Sequence, residues 1–567
     1  MKKLINDARH VVAEMLEGLV ALAPDQALLG DETVVIRAAI PPAAERPVAI
    51  ISGGGSGHEP AHAGYVGAGL LSAAVAGDVF TSPSTDAVLA AIRAVAGPKG
   101  AILVVKNYTG DRLNFALAAE LAQHEGIPTE IVVVADDVAL RDVVAPERRR
   151  GIAGTVLIHK IAGAAAAAGH SLSDVAATAR EAAAALGSMG VALGACTVPA
   201  AGKPGFTLED DEIELGLGIH GEKGVERSAM RPADELVDIV LNAILSDRAQ
   251  KSGDQVALLI NGLGGTPPME LAIVARHALA TLRKRGLTVA RAWCGNFLTA
   301  LEMPGFSLSL LPVDAARLAL LDTPAHAPAW PGPGHIPAAA RRVAAQPAPA
   351  DAAASVSPGP LAGPLAGVLR QAAFAVADAL EAAEERLTTL DAQAGDGDLG
   401  ASMARGAAAM RTVPEAAWAT PETALHALAN ALRRAIAGSS GPFYATALLR
   451  AARRLAGLPQ PDAAAWQAAF ADAIAAISEI GGAKPGDRTM IDALQPAADA
   501  WAKAAGQKAP QAWALAVAAA EQGVAATAAM TPRLGRASYL GDRTRGIPDG
   551  GAVAVTIWMK ALTPFVR

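Results

Sequence analysis

The sequence predicts a chain in two parts: an α/β half made of two α/β subdomains, then a proline- and alanine-rich tether and an all-α helical half. Three observations carry this. Short β-branched runs, each ending in a glycine-rich or polar loop, recur through the first half with helical stretches between them. The stretch from Thr323 to Pro360 holds nine prolines and no apolar periodicity, which reads as an extended, semi-rigid linker. Beyond it alanine dominates and β-branched runs are scarce, a composition that favours helix. The expected boundaries are therefore 1–322, 323–360 and 361–567. Hydrophobic residues make up 52% of the chain and charged ones 18%, so large cores can be buried and general disorder is not expected.

The opening "MKKLINDARHVVAEMLEGLVAL" begins with lysines like a secretory leader. Asp7, Arg9, Glu14 and Glu17 interrupt any apolar run, and the spacing suits an amphipathic helix instead. "RPVAIISGGGSGHEP", "GAILVVKNYTGDRLN", "TEIVVVADDVAL" and "QVALLINGLGGTPPME" each read as a buried strand running into a loop. Continuous apolar strands alternating with helices predict parallel sheets covered on both faces, with ligands at the carboxyl ends of the strands. A second α/β subdomain is expected to begin near 190–195, in "GSMGVALGACTVPA". In the last third, "AGVLRQAAFAVADALEAAEERL" and "PETALHALANALRRAIAG" are helical.

Bulk features narrow the function classes. A net charge of −7 argues against a nucleic-acid surface, though not against an anionic substrate met by local cations or amides. No run reaches the roughly 20 apolar residues of a membrane span. Cys196 and Cys294 form neither a metal-type cluster nor a disulfide framework, so a reducing cytoplasm is the expected setting.

The most informative local stretch is "TLDAQAGDGDLGASM". Asp391, Asp396 and Asp398 crowd together among glycines with no basic residue nearby. Three carboxylates on flexible backbone fit an octahedral Mg2+ site completed by phosphate or water; a solvated acidic turn fits the same spacing. In "AIAGSSGPFYATALL", Ser439 and Ser440 precede a helix, where amides and hydroxyls can cradle phosphate or simply cap. "GGAKPGDRTMIDAL" and "LGRASYLGDRTRGIPDGGA" add Arg488, Arg536, Arg543 and Arg545, which could face phosphate or pair with Asp487, Asp492 and Asp542. In the first half, His58 in "SGGGSGHEP", Lys106 and Asp111 in "VKNYTGD", and His220 in "GLGIHGE" are polar residues among glycines at predicted strand ends.

Taken together, "SGGGSGHEP", "VKNYTGD", "GLGIHGE", "LDAQAGDGDLG", "GSSGPFY", "GAKPGDRTMIDAL" and "GRASYLG" resemble the single-chain, ATP-dependent dihydroxyacetone kinases, in the family's order and over nearly the whole chain. The resemblance implies that the first half holds a short-chain ketose as a covalent hemiaminal on His220. Gly55, Ser56, Gly57, His58, Lys106 and Asp111 would then contact its hydroxyls, with His58 and Asp111 as the acid/base pair. It implies that the second half is a barrel of about eight helices, in which Asp391, Asp396 and Asp398 hold two Mg2+ ions on ATP. Leu399, Gly400, Ala401, Ser402, Ser439, Ser440, Gly481, Thr489, Met490, Arg536, Asp549, Gly550 and Gly551 match nucleotide contacts. A homodimer with each nucleotide domain facing its partner's ketose domain is implied too. Two positions depart from the pattern: Gly550 stands where proline is usual, and Ile547 where histidine is frequent. Kinases of erythrulose or glyceraldehyde, FAD-splitting enzymes and non-catalytic ketose sensors are the neighbouring readings.

Overall fold

The computed structural model describes residues 2–344 and 363–567. The chain divides into two compact units, Met1–Arg342 and Val343–Arg567. The N-terminal helix, Val11–Ala21, buries Val12 and Leu16 in the core of the first unit, as its amphipathic spacing predicts.

Two six-stranded sheets form the first unit. The first contains β1 (Gln26–Leu28), β2 (Val34–Arg37), β3 (Ala49–Ser56), β4 (Ala73–Val79), β5 (Ala101–Lys106) and β6 (Thr129–Val134), in the order β1-β2-β4-β3-β5-β6. Its strands β4, β3, β5 and β6 run parallel, linked through helices Thr85–Val95 and Thr109–His124. Strands β3 and β5 are buried along their whole length, which explains why Ser52, Ser56 and Lys106 are their only residues that are neither apolar nor glycine.

The second sheet contains β7 (Gly187–Ala192), β8 (Glu212–Leu215), β9 (Glu226–Ala229), β10 (Gln255–Gly262), β11 (Thr288–Gly295) and β12 (Gly305–Pro312), ordered β11-β10-β12-β7-β8-β9. Here the expectation of a parallel sheet needs correction. Only β10 and β11 pair in parallel, through the crossover helix Pro268–Lys284; the other four pairings are antiparallel. Parallel neighbours need a crossover, and β11 to β12 and β8 to β9 are joined by loops that carry no α-helix. The subdomain boundary expected near 190–195 falls where β7 opens this second sheet.

The stretch after Thr323 also differs from a free tether. His326 N–H donates to the Ala68 carbonyl at 2.8 Å, and Ala329 N–H donates to that of Gly64 at 2.9 Å. The Trp330 ring is buried against Trp293, whose Nε1–H donates to Gly332 O at 2.8 Å. Residues 324–334 are thus a strap on the first unit, and the expected linker continues into residues 345–360, which lie outside the described residues.

In the second unit the described residues form nine α-helices. Eight of them close a ring: Ala366–Ala382, Leu399–Met410, Pro421–Ala435, Ser440–Arg454, Ala463–Gly481, Ile491–Lys503, Ala509–Thr527 and Gly550–Leu562. Each packs on the next, and the last returns to the first. The ninth, Glu384–Ala394, flanks the ring. Buried alanines such as Ala377, Ala407, Ala429, Ala497, Ala516 and Ala554 let the helices approach closely, which gives the alanine-rich composition a packing role as well as a propensity role.

Candidate active site

In the first unit, strand ends deliver the candidate residues to one place. β3 runs out into Gly54–His58, and β5 into Lys106, Tyr108 and the first turn of helix Thr109–His124, which carries Asp111. The loop after β8 carries His220. Gly54 has φ +150°, and a Cβ there would lie 2.4 Å from Lys106 Nζ and 3.5 Å from Asp111 Oδ2, so only glycine lets the lysine and aspartate close over the strand end.

His58 is fully buried. Its Nδ1–H donates to the Thr299 carbonyl at 2.7 Å, which turns Nε2 toward His220 Nε2 at 3.1 Å. Burial, then the nearby His220 and Lys106, push the His58 pKa well below the ordinary imidazole range, so the ring is neutral with its Nε2 lone pair available. His220 is held in mirror fashion: Nδ1–H donates to Glu222 Oε1 at 2.8 Å, and its backbone N–H to Glu222 Oε2 at 3.0 Å. Phe80 stacks on His58 at 5.1 Å, and Tyr108 meets His220 edge-on at 4.6 Å, fixing both rings. With both Nδ1 atoms committed, both Nε2 atoms converge on a common space.

Lys106 is fully buried, with Nζ 2.8 Å from His62 Nε2 and 3.3 Å from Gly53 O. Burial lowers its pKa and the Asp111 carboxylate opposes that shift. Asp111 Oδ1 is buried without a hydrogen-bond partner among the described residues, an acceptor waiting for a hydroxyl. The other loop positions are used internally. Ser56 Oγ–H donates to Gly77 O at 2.7 Å, Gly57 N–H donates to Glu59 Oε1 at 3.0 Å, and Gly55 sits tight against the Phe80–Thr81 backbone. Glu222, Tyr108, Phe80 and Thr299 escaped sequence reasoning. Glu222 had a signal, two residues after His220 in the same glycine-rich motif; the Thr299 carbonyl, a backbone group, had none.

In the second unit, Asp391 lies in the last turn of helix Glu384–Ala394, while Asp396 and Asp398 lie in the turn before helix Leu399–Met410. One carboxylate oxygen from each lies within 4.8 Å of the others. Asp391 Oδ2 also accepts the Asp398 and Leu399 N–H groups at 2.9 and 3.2 Å, so it orders the turn that carries its neighbours. Gly400 is required by packing, since a Cβ there would lie 2.1 Å from Glu384 O.

Some of the predicted nucleotide residues adjoin this turn: Leu399 to Ser402 follow it directly, and Asp549 and Gly550 lie beside Asp391 and Leu399. Asp549 caps helix Gly550–Leu562 by accepting Ala552 N–H at 2.8 Å, and burial pushes its carboxyl up to about 6, with Asp492 and Asp391 adding to the shift. Gly550 faces the Leu399 side chain, and Gly551 lies against Met490. Thr489 N–H donates to Asp492 Oδ2 at 2.8 Å. Ser439 and Ser440 start helix Ser440–Arg454, whose Phe443 ring contacts Gly481. Ala401 and Ser402 are in the first turn of their helix, with Ser402 Oγ accepting from Arg405 at 2.8 Å. The side chain of Arg536 lies outside the described residues.

Among the described residues Arg488 makes no ion pair with Asp487, Asp492 or Asp542. It is 1% exposed and donates to the carbonyls of Thr527 at 3.2 Å and Ile547 at 2.8 Å, tying loops together. Among the described residues no helix is long and apolar enough to cross a membrane.

Residues 17–329 match the Dak1 domain and residues 393–564 the DAK2 domain. Triokinase/FMN cyclase of Homo sapiens is 43% identical, over 99% of this chain and 98% of that protein. D-erythrulose kinase of Mycolicibacterium smegmatis is 36% identical, over 100% and 99%. The crystal structure of the dihydroxyacetone kinase from C. freundii in complex with AMP-PNP and Mg2+ superposes with a TM-score of 0.62 at 34% identity, covering 99% of both chains.

Proposed function

The chain belongs to the Dak1/DAK2 kinase family, and from that premise we propose that it transfers the γ-phosphoryl group of ATP to dihydroxyacetone, giving dihydroxyacetone phosphate. The observation that carries this reading is the convergence of His220 Nε2 and His58 Nε2 beside Asp111 and Lys106. A small ketone entering that space meets a nucleophilic nitrogen and an unpartnered carboxylate oxygen within one cluster.

His220 Nε2 adds to the ketone carbon, the carbonyl π electrons move to oxygen, and that oxygen takes up a proton from water, which balances the one the ring gives up. The ring sheds its Nδ1 proton, for which Glu222 is the base at 2.8 Å. The adduct holds the substrate by a bond rather than by hydroxyl contacts alone, which orients its terminal hydroxyl. Asp111 accepts the proton of that hydroxyl as it attacks, and Lys106 offsets the charge that builds there.

In the helical unit, hard carboxylate oxygens from Asp391, Asp396 and Asp398 fit a divalent cation such as Mg2+, whose charge when bound would neutralise the triphosphate. Leu399 to Ser402 and Ser439–Ser440 offer helix N-terminal amides to phosphate oxygens. Asp549, Gly550 and Gly551, with Thr489 and Met490, line the adjoining side.

A second reading keeps the chemistry and changes the acceptor. The relatives named for erythrulose and triose kinases favour a four-carbon ketose or glyceraldehyde, and the human relative's name adds FMN cyclase activity on the nucleotide side. The deciding experiment is a coupled ADP-release assay with ATP and Mg2+ over dihydroxyacetone, erythrulose, glyceraldehyde and glycerol, with FAD in a parallel arm. Turnover on dihydroxyacetone with none on glycerol is expected; no ATP-dependent turnover on any of the four would refute the proposal.

A further inference from the structure

Behind Lys106 lies a buried polar chain, His62, Ser52 and His159, that the proposed mechanism does not use. Lys106 Nζ is 2.8 Å from His62 Nε2, His62 Nδ1 is 3.4 Å from Ser52 Oγ, and Ser52 Oγ is 3.1 Å from His159 Nε2. All four residues are buried. One pattern of protons satisfies the chain as far as His159, whose buried Nδ1 has no partner among the described residues. Ser52 Oγ–H donates to the Val104 carbonyl at 2.7 Å, so its lone pairs must accept from His62 Nδ1–H and His159 Nε2–H. His62 Nε2 is then left as an acceptor, and the Lys106 ammonium supplies its proton.

We propose that His62 is a positioning residue: by accepting one N–H of Lys106 while Gly53 O accepts a second, it aims the third at Asp111 and the substrate hydroxyl. The placement of the third donor follows from Gly54, whose missing Cβ leaves space bounded by Lys106 Nζ and Asp111 Oδ2. A lysine on its flexible stem has several rotamers, and the His62–Ser52–Val104 chain selects one. Asp111 is the acid facing the ammonium, and His58, His62 and His159 are the titratable rings around it. His159 is held neutral by burial, its pKa down to about 3, and His62 is likewise pushed well below its ordinary range by burial and by Lys106. The rings therefore add no competing positive charge at working pH.

This inference rests on the ketose-kinase reading, so its test starts from whatever acceptor the wild-type enzyme phosphorylates. Three full-length variants are compared for kcat/KM against pH: His62→Leu, which removes the acceptor; His62→Gln, whose amide oxygen reaches the Nε2 position; and His62→Asn, whose oxygen stops at the Nδ1 position. His62→Leu and His62→Asn should lose about 10–100-fold in kcat/KM for the acceptor, the scale of a hydrogen bond to a charged group, with KM for ATP unchanged. Losing an acceptor makes the buried ammonium easier to deprotonate, so the alkaline limb of the profile should move to lower pH in both. His62→Gln should stay within about 3-fold of wild type and keep its alkaline limb, because its acceptor oxygen remains in reach of Nζ. Gln and Asn bury the same amide, so their difference isolates reach from folding even if the Leu variant is unstable. Equal activities and unshifted alkaline limbs for Gln and Asn would overturn the proposal. A wild-type enzyme with no acceptor activity would instead sink the parent reading.

Discussion

The two candidate sites are built in opposite ways. The histidine site of the first unit is fixed by protein atoms: the Nδ1 atoms of His58 and His220 are each tied to an acceptor, and Phe80 and Tyr108 clamp the rings. The acidic turn of the helical unit has Asp396 and Asp398 exposed, three carboxylates crowded together, and a half-buried Asp549 nearby whose carboxyl is pushed up to about 6. On the proposed reading the first site takes a neutral carbonyl compound, and fixed geometry is its catalytic resource. On the same reading the second takes its positive charge from a bound cation. Substitutions should therefore act locally and differently in the two places.

The largest effect is expected at His220. Hydroxyl contacts alone discriminate dihydroxyacetone from glycerol poorly, whereas only the ketone can bond to the imidazole. His220→Ala should cut ketose turnover by roughly 1,000-fold and abolish the preference over glycerol, with AMP-PNP binding unchanged. Steady-state rates on both acceptors and a nucleotide titration check it; retained selectivity would mean that the carbonyl is read elsewhere.

Next comes Asp398→Asn, which should lower turnover about 100-fold at ordinary Mg2+ while leaving ketose binding intact. Near-normal turnover would reduce the acidic turn to a solvated loop.

A third prediction concerns pH and stability. An unfolded aspartate titrates near 4, while Asp549 in the fold titrates at about 6. Between those values the folded form binds the extra proton, so the helical unit should lose stability as pH rises through that window, by on the order of 2–3 kcal/mol. Asp549→Asn keeps an oxygen for Ala552 N–H and should flatten that slope in metal-free protein. Urea midpoints at pH 4.5 and pH 7 measure it; an unchanged slope would show that another group titrates there.

How far the sequence revealed these two sites follows the same divide. Strands β3, β5, β6 and β10 were legible because continuous apolar runs have few other uses, and the aspartate turn because like charges rarely crowd without a reason. Strand direction in the second sheet was not legible, since an apolar run is the same read parallel or antiparallel. The strap at 324–334 hid behind its prolines, although Trp330 was the clue to burial. His62 and Thr299 act through a lysine reach and a backbone carbonyl, neither of which has a spacing signature. Arg488 could be placed only once the Thr527 and Ile547 carbonyls were in view.

The smallest expected effect bears on a departure from the family pattern. Gly550 occupies the first position of helix Gly550–Leu562, where proline would be pre-organised, and the Asp549 cap supports that start without it. Gly550→Pro should raise stability of the helical unit by about 0.5–1 kcal/mol, because among the described residues a Cβ would meet only the movable end of Leu399. A lower melting temperature would show that the turn needs its freedom.

The contrast itself is tested most directly by observing ketose binding without metal. Dihydroxyacetone labelled with 13C at the ketone carbon is added to the wild-type protein in EDTA, and its NMR resonance is followed alongside a titration with AMP-PNP. The account predicts that the labelled carbon moves from the ketone to the tetrahedral range in wild type but not in His220→Ala, while AMP-PNP binding appears only when Mg2+ is restored. A ketone resonance that persists in wild type at saturating ligand, or a tetrahedral adduct that survives in His220→Ala, would contradict it.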